Sequence, residues 1–540
     1  MRRVAARTAD VLAVGWVLFA LLVPHRLAQL APGAFVRVPV EAPLALAVVL
    51  LLPWRAVRVL AAAAGALLGL LTIGAFLDMG FDQVLVRPFD PVLDGVLVGD
   101  GVEFVASSFG RAAAVGAVVG AVVLAVAVLG GSTVAAVRLA RAAARHRGGA
   151  GVAAVATLLV WTTCAALGVR TGAGPAAGPV AADAAASAVA DRFVQVRAGI
   201  ADRQAFAKVA AVDAYRDTPP RRLLTALAGK DVLLAFVESY GRSAVEDPAM
   251  APQVDAALDT GTRTLAAAGF GARSAFLTSS TAGGGSWLAH STTLSGLWID
   301  NQQRYRTLVG SDRLTLDGAF HRAGWRTVGL MPGVTRAWPE GAFYGFDHIY
   351  DSHATGYAGP HFSWAPIPDQ FSLAFLQRTE LAPAARAPVM VEFPMVSSHA
   401  PWAPVPRMLP WDGLGDGSVY GPIAQDGARP DTVWASPAGV RSAYAQSIVY
   451  SLDALVSWVR TYGDDRTVVI FLGDHQPAQV VTGQGAGRDV PITVVAKDPA
   501  VMQQIAGWGW QDGLHPAHDA PVWRMDAFRD RFLAAFSPGA

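Results

Sequence analysis

The chain has 540 residues, 53% of them hydrophobic and 16% charged, with 43 basic side chains against 42 acidic ones and a net charge of +1. That balance argues against a polyanion partner such as nucleic acid. The apolar share is too high for an ordinary soluble enzyme and too low for a pure transporter, which implies a chain split between membrane and water. The single cysteine, Cys164, excludes an intrachain disulfide and any zinc site built on thiolates.

Five apolar stretches come first, at about 9–29, 39–53, 57–77, 112–137 and 150–169. A span needs roughly 20 mostly apolar residues, so they predict a five-span bundle with a short second member. The first has an arginine-rich start but no small-residue cleavage site, and reads as a retained anchor. Arginines fix the expected orientation. Arg2, Arg3 and Arg7 precede span one; Arg55 and Arg58 lie between spans two and three; Arg138, Arg141, Arg145 and Arg147 lie between spans four and five. All three clusters fall on one side, the expected cytoplasm. An odd number of spans then puts everything after residue 170 outside the membrane, and loss of the second span would reverse that.

Residues 171–225 read as a linker. They open on "TGAGPAAGP" and continue as "AVADRFVQVRAGIADRQAFAKVAAV", either an amphipathic helix at the membrane surface or a connector packed on the next domain.

From about 226 to 540 the texture changes. Apolar, β-rich runs at 231–237, 326–331, 388–396, 466–473 and 491–496 alternate with helical patterns such as 441–462. This predicts an α/β sandwich on a buried, mostly parallel sheet. Three runs end on polar groups: "LLAFV" on Glu238, "MVEFPMVSS" on His399, and "VVIFLG" on Asp474 and His475. Ligands in open α/β sheets bind beyond the carboxyl ends of the strands. Any one of these residues alone reads equally well as a cap or loop residue. Together, two carboxylates and imidazoles suit a divalent cation such as manganese or zinc.

The stretch "TAGGGSWLAHSTTLSG" at 281–296 adds a fourth element. Gly283, Gly284 and Gly285 precede Ser286, and a helical pattern follows. Ser286 either caps that helix or is an alkoxide nucleophile activated by a cation, with the glycines leaving room for an anion at the helix start. His290, one turn later, reads as a packing residue or as facing the site. The Gly/Pro-rich segment 403–438 is long for a loop and is a candidate for shaping the acceptor side.

These residues resemble the alkaline phosphatase superfamily, and within it the sulfatase-like lipoteichoic acid synthase and phosphoglycerol transferase branch. The resemblance rests on "FVESYGRS", "AGGGSWLAHST", "VSSHAPW" and "FLGDHQP" in that order, and on five spans before one outer domain. It implies an alkaline phosphatase/sulfatase type of sandwich, with Glu238, Ser286, Asp474 and His475 holding one divalent metal ion, manganese before magnesium or zinc. It also implies that Ser286 is the nucleophile and that His399 contacts the substrate. The synthases usually carry threonine where this chain has Ser286, and an arginine where it has Glu340; Arg336 is the candidate replacement, beside Trp338. The formylglycine setting of true sulfatases is absent.

The expected activity is transfer of a phosphoglycerol- or phosphoethanolamine-type headgroup from a membrane phospholipid to an envelope glycan, through a phospho-serine intermediate. A phosphatase, phosphodiesterase or sulfate-ester hydrolase at the same site, and an inert envelope-binding scaffold, are the alternatives.

Overall fold

The computed structural model describes residues 2–172, 177–362 and 364–539; the middle of the expected "TGAGPAAGP" linker, 173–176, lies outside the described residues. The chain divides into two compact units, Met1–Ala106 with Gly110–Asp202, and Ser107–Phe109 with Arg203–Ala540.

The first unit is helical: α1 (Arg2–Leu22), α2 (Glu41–Leu51), α3 (Trp54–Leu85), α4 (Leu97–Phe109, whose last three residues group with the second unit), α5 (Arg111–Arg145), α6 (Arg147–Ala166) and the beginning of α7 (Ala184–Ala210). Four of these, α1, α3, α5 and α6, are long and apolar enough to cross a membrane. The expected second span is an 11-residue helix, about 17 Å at 1.5 Å per residue, shorter than a hydrocarbon core of about 30 Å. Pro53 precedes the first turn of α3, where its missing N–H costs nothing, and so separates α2 from α3. The segment lies against α6 at both of its ends. Strand β1 (Val38–Pro39), just before α2, pairs in parallel with β2 (Ala181–Ala182), which follows α6. At the other end the Arg147 guanidinium, at the start of α6, donates to the Leu50 carbonyl. Ala182 of β2 accepts from Trp161 Nε1 within α6 at 3.0 Å, so residues 38–51 run alongside α6 between the level of Trp161 and that of Arg147.

Polar ties fix α7 to this bundle. Glu41 Oε1 accepts the N–H groups of Ala185 and Ala186 at 3.0 Å each, which puts a carboxylate on free donors at a helix start. Asp78, 3% exposed near the end of α3, accepts both the Arg192 guanidinium at 2.6 and 2.5 Å and the Phe89 N–H at 3.0 Å, and lies 2.6 Å from His25 Nδ1.

The second unit begins inside the expected linker. Asp213 pairs with the fully buried Arg529 at 2.5 Å, and Leu223, Leu224 and Leu227 belong to the core. The strands are β3 (Asp231–Val237), β4 (Gly271–Thr278), β5 (Arg326–Leu330), β6 (His348–Tyr350), β7 (Val389–Met395), β8 (Thr467–Gly473), β9 (Asp489–Ala496), β10 (Gln511–Asp512) and β11 (Val522–Arg524). They form one sheet in the order β10-β4-β9-β8-β3-β7-β5-β6, with β11 beside β4. From β8 to β6 all neighbours are parallel. β9 is antiparallel to both β8 and β4, so β4 runs in the direction of β8.

Alternate residues of β3 serve two cores. Leu233, Ala235 and Val237 pack with the helices Ala251–Ala267 and Pro437–Tyr462 on one face. Val232, Leu234 and Phe236 pack with Leu316–Ala323 and Phe528–Phe536 on the other. Burial on both sides explains the continuous apolar runs. The 403–438 segment carries short helical turns at Trp411–Gly413, Ser418–Tyr420, Gly421–Asp426 and Pro430–Val433, so it is an ordered flap with its own small core around Phe371, Leu414 and Tyr420.

Candidate active site

Register brings the site together. Val237 at the end of β3 pairs with Gly473 of β8 on one side and Met395 of β7 on the other. Glu238, Asp474 and the turn to His399 therefore leave the sheet at one level. β4 delivers its chain to the same edge, where Ala282 bridges to Gln476 and the Gly283 N–H donates to the Gln476 carbonyl at 2.7 Å. This link holds the glycine segment against the residues that follow β8.

Gly285, at φ +81°, occupies the cap position of the helix Ser286–Ser295, so Ser286 is that helix's first residue and not its cap. L side chains rarely adopt this backbone geometry. The Ser286 hydroxyl turns to the sheet edge, donating to Glu238 Oε2 at 2.9 Å and lying 3.2 Å from His475 Nε2. His475 Nε2 is also 3.4 Å from Glu238 Oε1 and 3.6 Å from Asp474 Oδ2. One ligand atom from each of Glu238, Asp474 and His475 lies within 4.8 Å of the others, and all three residues are buried.

The donors suit a cation. Asp474 Oδ1 accepts the N–H groups of Ser239 and His475 at 2.7 and 2.8 Å, while Oδ2, equally buried, has no hydrogen-bond partner among the described residues. Close to the Gln476 carbonyl, at 2.9 Å, His475 Nδ1 carries the ring proton and leaves the Nε2 lone pair for the centre. Electrostatics agree. Burial, reinforced by the charge of Glu238, pushes Asp474 up to about 8. Burial alone would lower His475, but the charge of Asp474 and the hydrogen bond and charge of Glu238 carry it up to about 9. Glu238 is held well below its ordinary value, because the hydrogen bond and charge of His475 outweigh desolvation. Two carboxyl groups and an imidazole this close hold protons that a divalent cation would replace.

Close packing supports these ligands from behind. Ser239 has φ +58°, rare for a residue with a side chain. Its carbonyl accepts from the Tyr444 hydroxyl at 2.8 Å and its own hydroxyl donates to Glu238 Oε1 at 3.0 Å. A Cβ on Gly241 would lie 1.9 Å from Gln476 Oε1, and one on Gly473 would lie 1.8 Å from the Tyr240 carbonyl oxygen.

His399 follows β7. Its ring stacks on Trp364 with centroids 3.7 Å apart, and Nδ1 donates to the Ala400 carbonyl at 2.6 Å. Burial lowers its pKa, with the Glu238 charge opposing, so the ring is neutral with Nε2 as an acceptor. Arg336 and Trp338 lie in the segment after β5. Arg336 is exposed. Trp338 is half-buried against the core, its ring 5.5 Å from Tyr344 and 6.5 Å from Phe346, which gives it a packing role.

His290 is largely buried, stacked on Phe236 with centroids 4.0 Å apart, and burial lowers it to about 3. The sequence reading passed over two carboxyl groups near it. Glu392 sits in the middle of β7 and Asp317 on Leu316–Ala323; they are 2% and 0% exposed. A lone acid inside the apolar run "PVMVEFPMV" is the one signal that marks Glu392.

No family model matches the chain, and no curated relative does. Solved structures similar to it include the lipoteichoic acid synthase LtaP from Listeria monocytogenes (13% identity, 62% of this chain and 78% of that one, TM-score 0.37). The Streptococcus pyogenes phosphoglycerol transferase GacH in complex with sn-glycerol-1-phosphate is similar at 11% identity over 63% of this chain and 91% of that one, TM-score 0.35. The C-terminal periplasmic domain of EptC from Escherichia coli in complex with zinc is similar at 13% identity over 57% and 82%, TM-score 0.36.

Proposed function

We propose that the chain is a membrane-anchored, metal-dependent transferase. On this reading it moves a phosphoglycerol- or phosphoethanolamine-type headgroup from a phospholipid to an envelope glycan on the outer side of the membrane. The observation that carries the reading is the Ser286 hydroxyl held at hydrogen-bond distance from both Glu238 and His475, at the start of a helix.

Glu238, Asp474, His475 and the Ser286 oxygen would hold the cation. When bound, it supplies positive charge that lowers the pKa of the serine hydroxyl and balances the phosphoryl oxygens. Ser286 Oγ gives its proton to water and attacks phosphorus; a new P–O bond forms, the bond from phosphorus to the diacylglycerol oxygen breaks, and that oxygen takes a proton from water and leaves as the alcohol. The free N–H groups of the helix start and the bare Gly283–Gly285 backbone accommodate the anionic phosphoryl group. His399 Nε2 accepts a hydrogen bond from a hydroxyl of the donor headgroup or of the acceptor. The acceptor hydroxyl then attacks the phospho-serine, releases Ser286 and completes the transfer; without an acceptor, water takes its place and the outcome is hydrolysis.

Anchoring follows from the chemistry, since the donor does not leave the bilayer. The arginine pattern, together with the apolar helix Glu41–Leu51 lying against α6 as a fifth crossing, supports an odd number of crossings, with the N-terminus in the cytoplasm and the catalytic unit outside.

The test is incubation of the full-length protein with headgroup-labelled phospholipids and manganese, followed by mass spectrometry of the peptide bearing Ser286. A headgroup-phosphate adduct on Ser286, absent from Ser286→Ala, is expected. No adduct with any phospholipid overturns the reading.

A further inference from the structure

Beside the Ser286 centre lies a second layer of polar groups. His290 Nε2 is 3.9 Å from Asp474 Oδ2, and His290 Nδ1 is 3.7 Å from Glu392 Oε1. Burial and the charge of Asp317 act together on Glu392, which places the two carboxyl groups within electrostatic reach. Asp474 Oδ2, His290 Nε2, Glu392 Oε2 and both Asp317 oxygens are buried without a hydrogen-bond partner among the described residues. Buried polar atoms left unpaired are costly. Four of them in one layer behind a proposed ligand oxygen are not explained by packing, for which an apolar ring and an apolar strand residue would serve better.

The ring has little freedom. Stacking on Phe236 sets its plane, and in that plane one nitrogen faces Asp474 and the other Glu392. A half-turn of the ring would put carbon atoms in both places. The separations are those of charge–dipole contacts, longer than hydrogen bonds, in an interior where such contacts are weakly screened.

We propose that His290 is a positioning residue of the metal centre: backed by Glu392, it aims Asp474 Oδ2 at the cation. Asp474 is then held at both oxygens, Oδ1 by two backbone N–H groups and Oδ2 by the imidazole. This inference rests on the cation reading above and assigns a task to two residues outside the ligand set.

The test is titration of the full-length protein in detergent with manganese chloride, followed by calorimetry and by the Mn2+ electron paramagnetic resonance signal. Thermal unfolding of the metal-free proteins is recorded in parallel. His290→Phe keeps the stack on Phe236 and removes the nitrogens. It is expected to lower manganese affinity by about 10–100-fold, the usual range for partners of metal ligands, while the metal-free melting temperature stays within a few degrees. Glu392→Leu should fall in the same direction, and Glu392→Gln, which keeps shape and polarity, should stay close to wild type. Wild-type affinity in His290→Phe overturns the inference, as does a loss in both variants that only tracks lowered stability. If His290→Phe fails to fold, the Glu392 pair decides: equal affinities in Leu and Gln overturn the inference. A wild-type protein that takes up no manganese sinks both this inference and the cation reading; uptake by wild type with unaltered variants sinks this one alone.

Discussion

Ser286 and Glu238 are 48 positions apart in the chain, yet the hydroxyl of one donates to a carboxylate oxygen of the other at 2.9 Å. The contact crosses from the start of a helix to the end of β3. A serine serving only as a helix cap would bond to N–H groups of its own first turn. Ser286→Ala is accordingly expected to cut headgroup release from phospholipid vesicles by at least about 10³-fold with an unaltered circular dichroism spectrum. Activity within tenfold of wild type would remove Ser286 from the chemistry.

Cation affinity should climb with pH. Burial and the Glu238 charge push Asp474 up to about 8, and the charges of Asp474 and Glu238 carry His475 up to about 9, so protons compete with the ion for this pair. Affinity is thus weakest in acid and gains about tenfold per pH unit for each proton displaced, up through the range 8–9. Equilibrium dialysis of Mn2+ at pH 6, 7 and 8 measures the slope, and a flat profile contradicts the ligand set.

Stability should carry a separate signature from Asp369. Burial raises its carboxyl to about 6, against its bonds to Ser451 and Ser397. Its folded-state value lies above its unfolded one, so its contribution is complete below about pH 4 and is lost as pH rises through 6. The loss is about 3 kcal/mol at most, for a shift of roughly two units. In Asp369→Asn the amide donates to Ser451 Oγ and does not titrate. Urea unfolding between pH 4 and 7 should show a shallower decline in that variant than in wild type; parallel curves would discount the effect.

Arg192→Ala should loosen α7 from the helical bundle. It strips the guanidinium from Asp78, which keeps His25 and one backbone donor but is 3% exposed. Breaking a buried pair on one side costs about 3 kcal/mol. Limited proteolysis within 184–210 and the melting temperature in detergent report it. A cleavage rate equal to wild type would show that other contacts hold the helix.

Much of the second unit was legible because burial on both faces leaves a plain trace. β3, β5, β7, β8 and β9 coincide with the apolar runs, and the helix Pro437–Tyr462 with its periodic pattern. β4, "GARSAFLT", was not legible: Arg273, Ser274 and two alanines dilute its signal, and its pairing with β9 fixes it as a strand. The boundary near residue 203 was hidden too, since Asp213 reads as a polar linker residue until Arg529, more than 300 positions later, is folded against it. Glu238, Asp474 and His475 could be singled out because each stands where a strand stops. Asp317 could not, because only the packing of its helix over the sheet brings it near Glu392. The membrane part was clear in its four long helices and least clear at α2, where an apolar run of span-like composition folds as a helix of only 11 residues.

The absence of space at Gly241 and Gly473 has a consequence for anyone mapping tolerance to substitution. In a library of every single replacement, these two codons should be as intolerant as Ser286, although neither can touch a reactant. Equating intolerance with chemistry would draw the reactive centre one ring too wide. Redesign toward a different ester should leave this inner scaffold alone and vary the flap between 403 and 438.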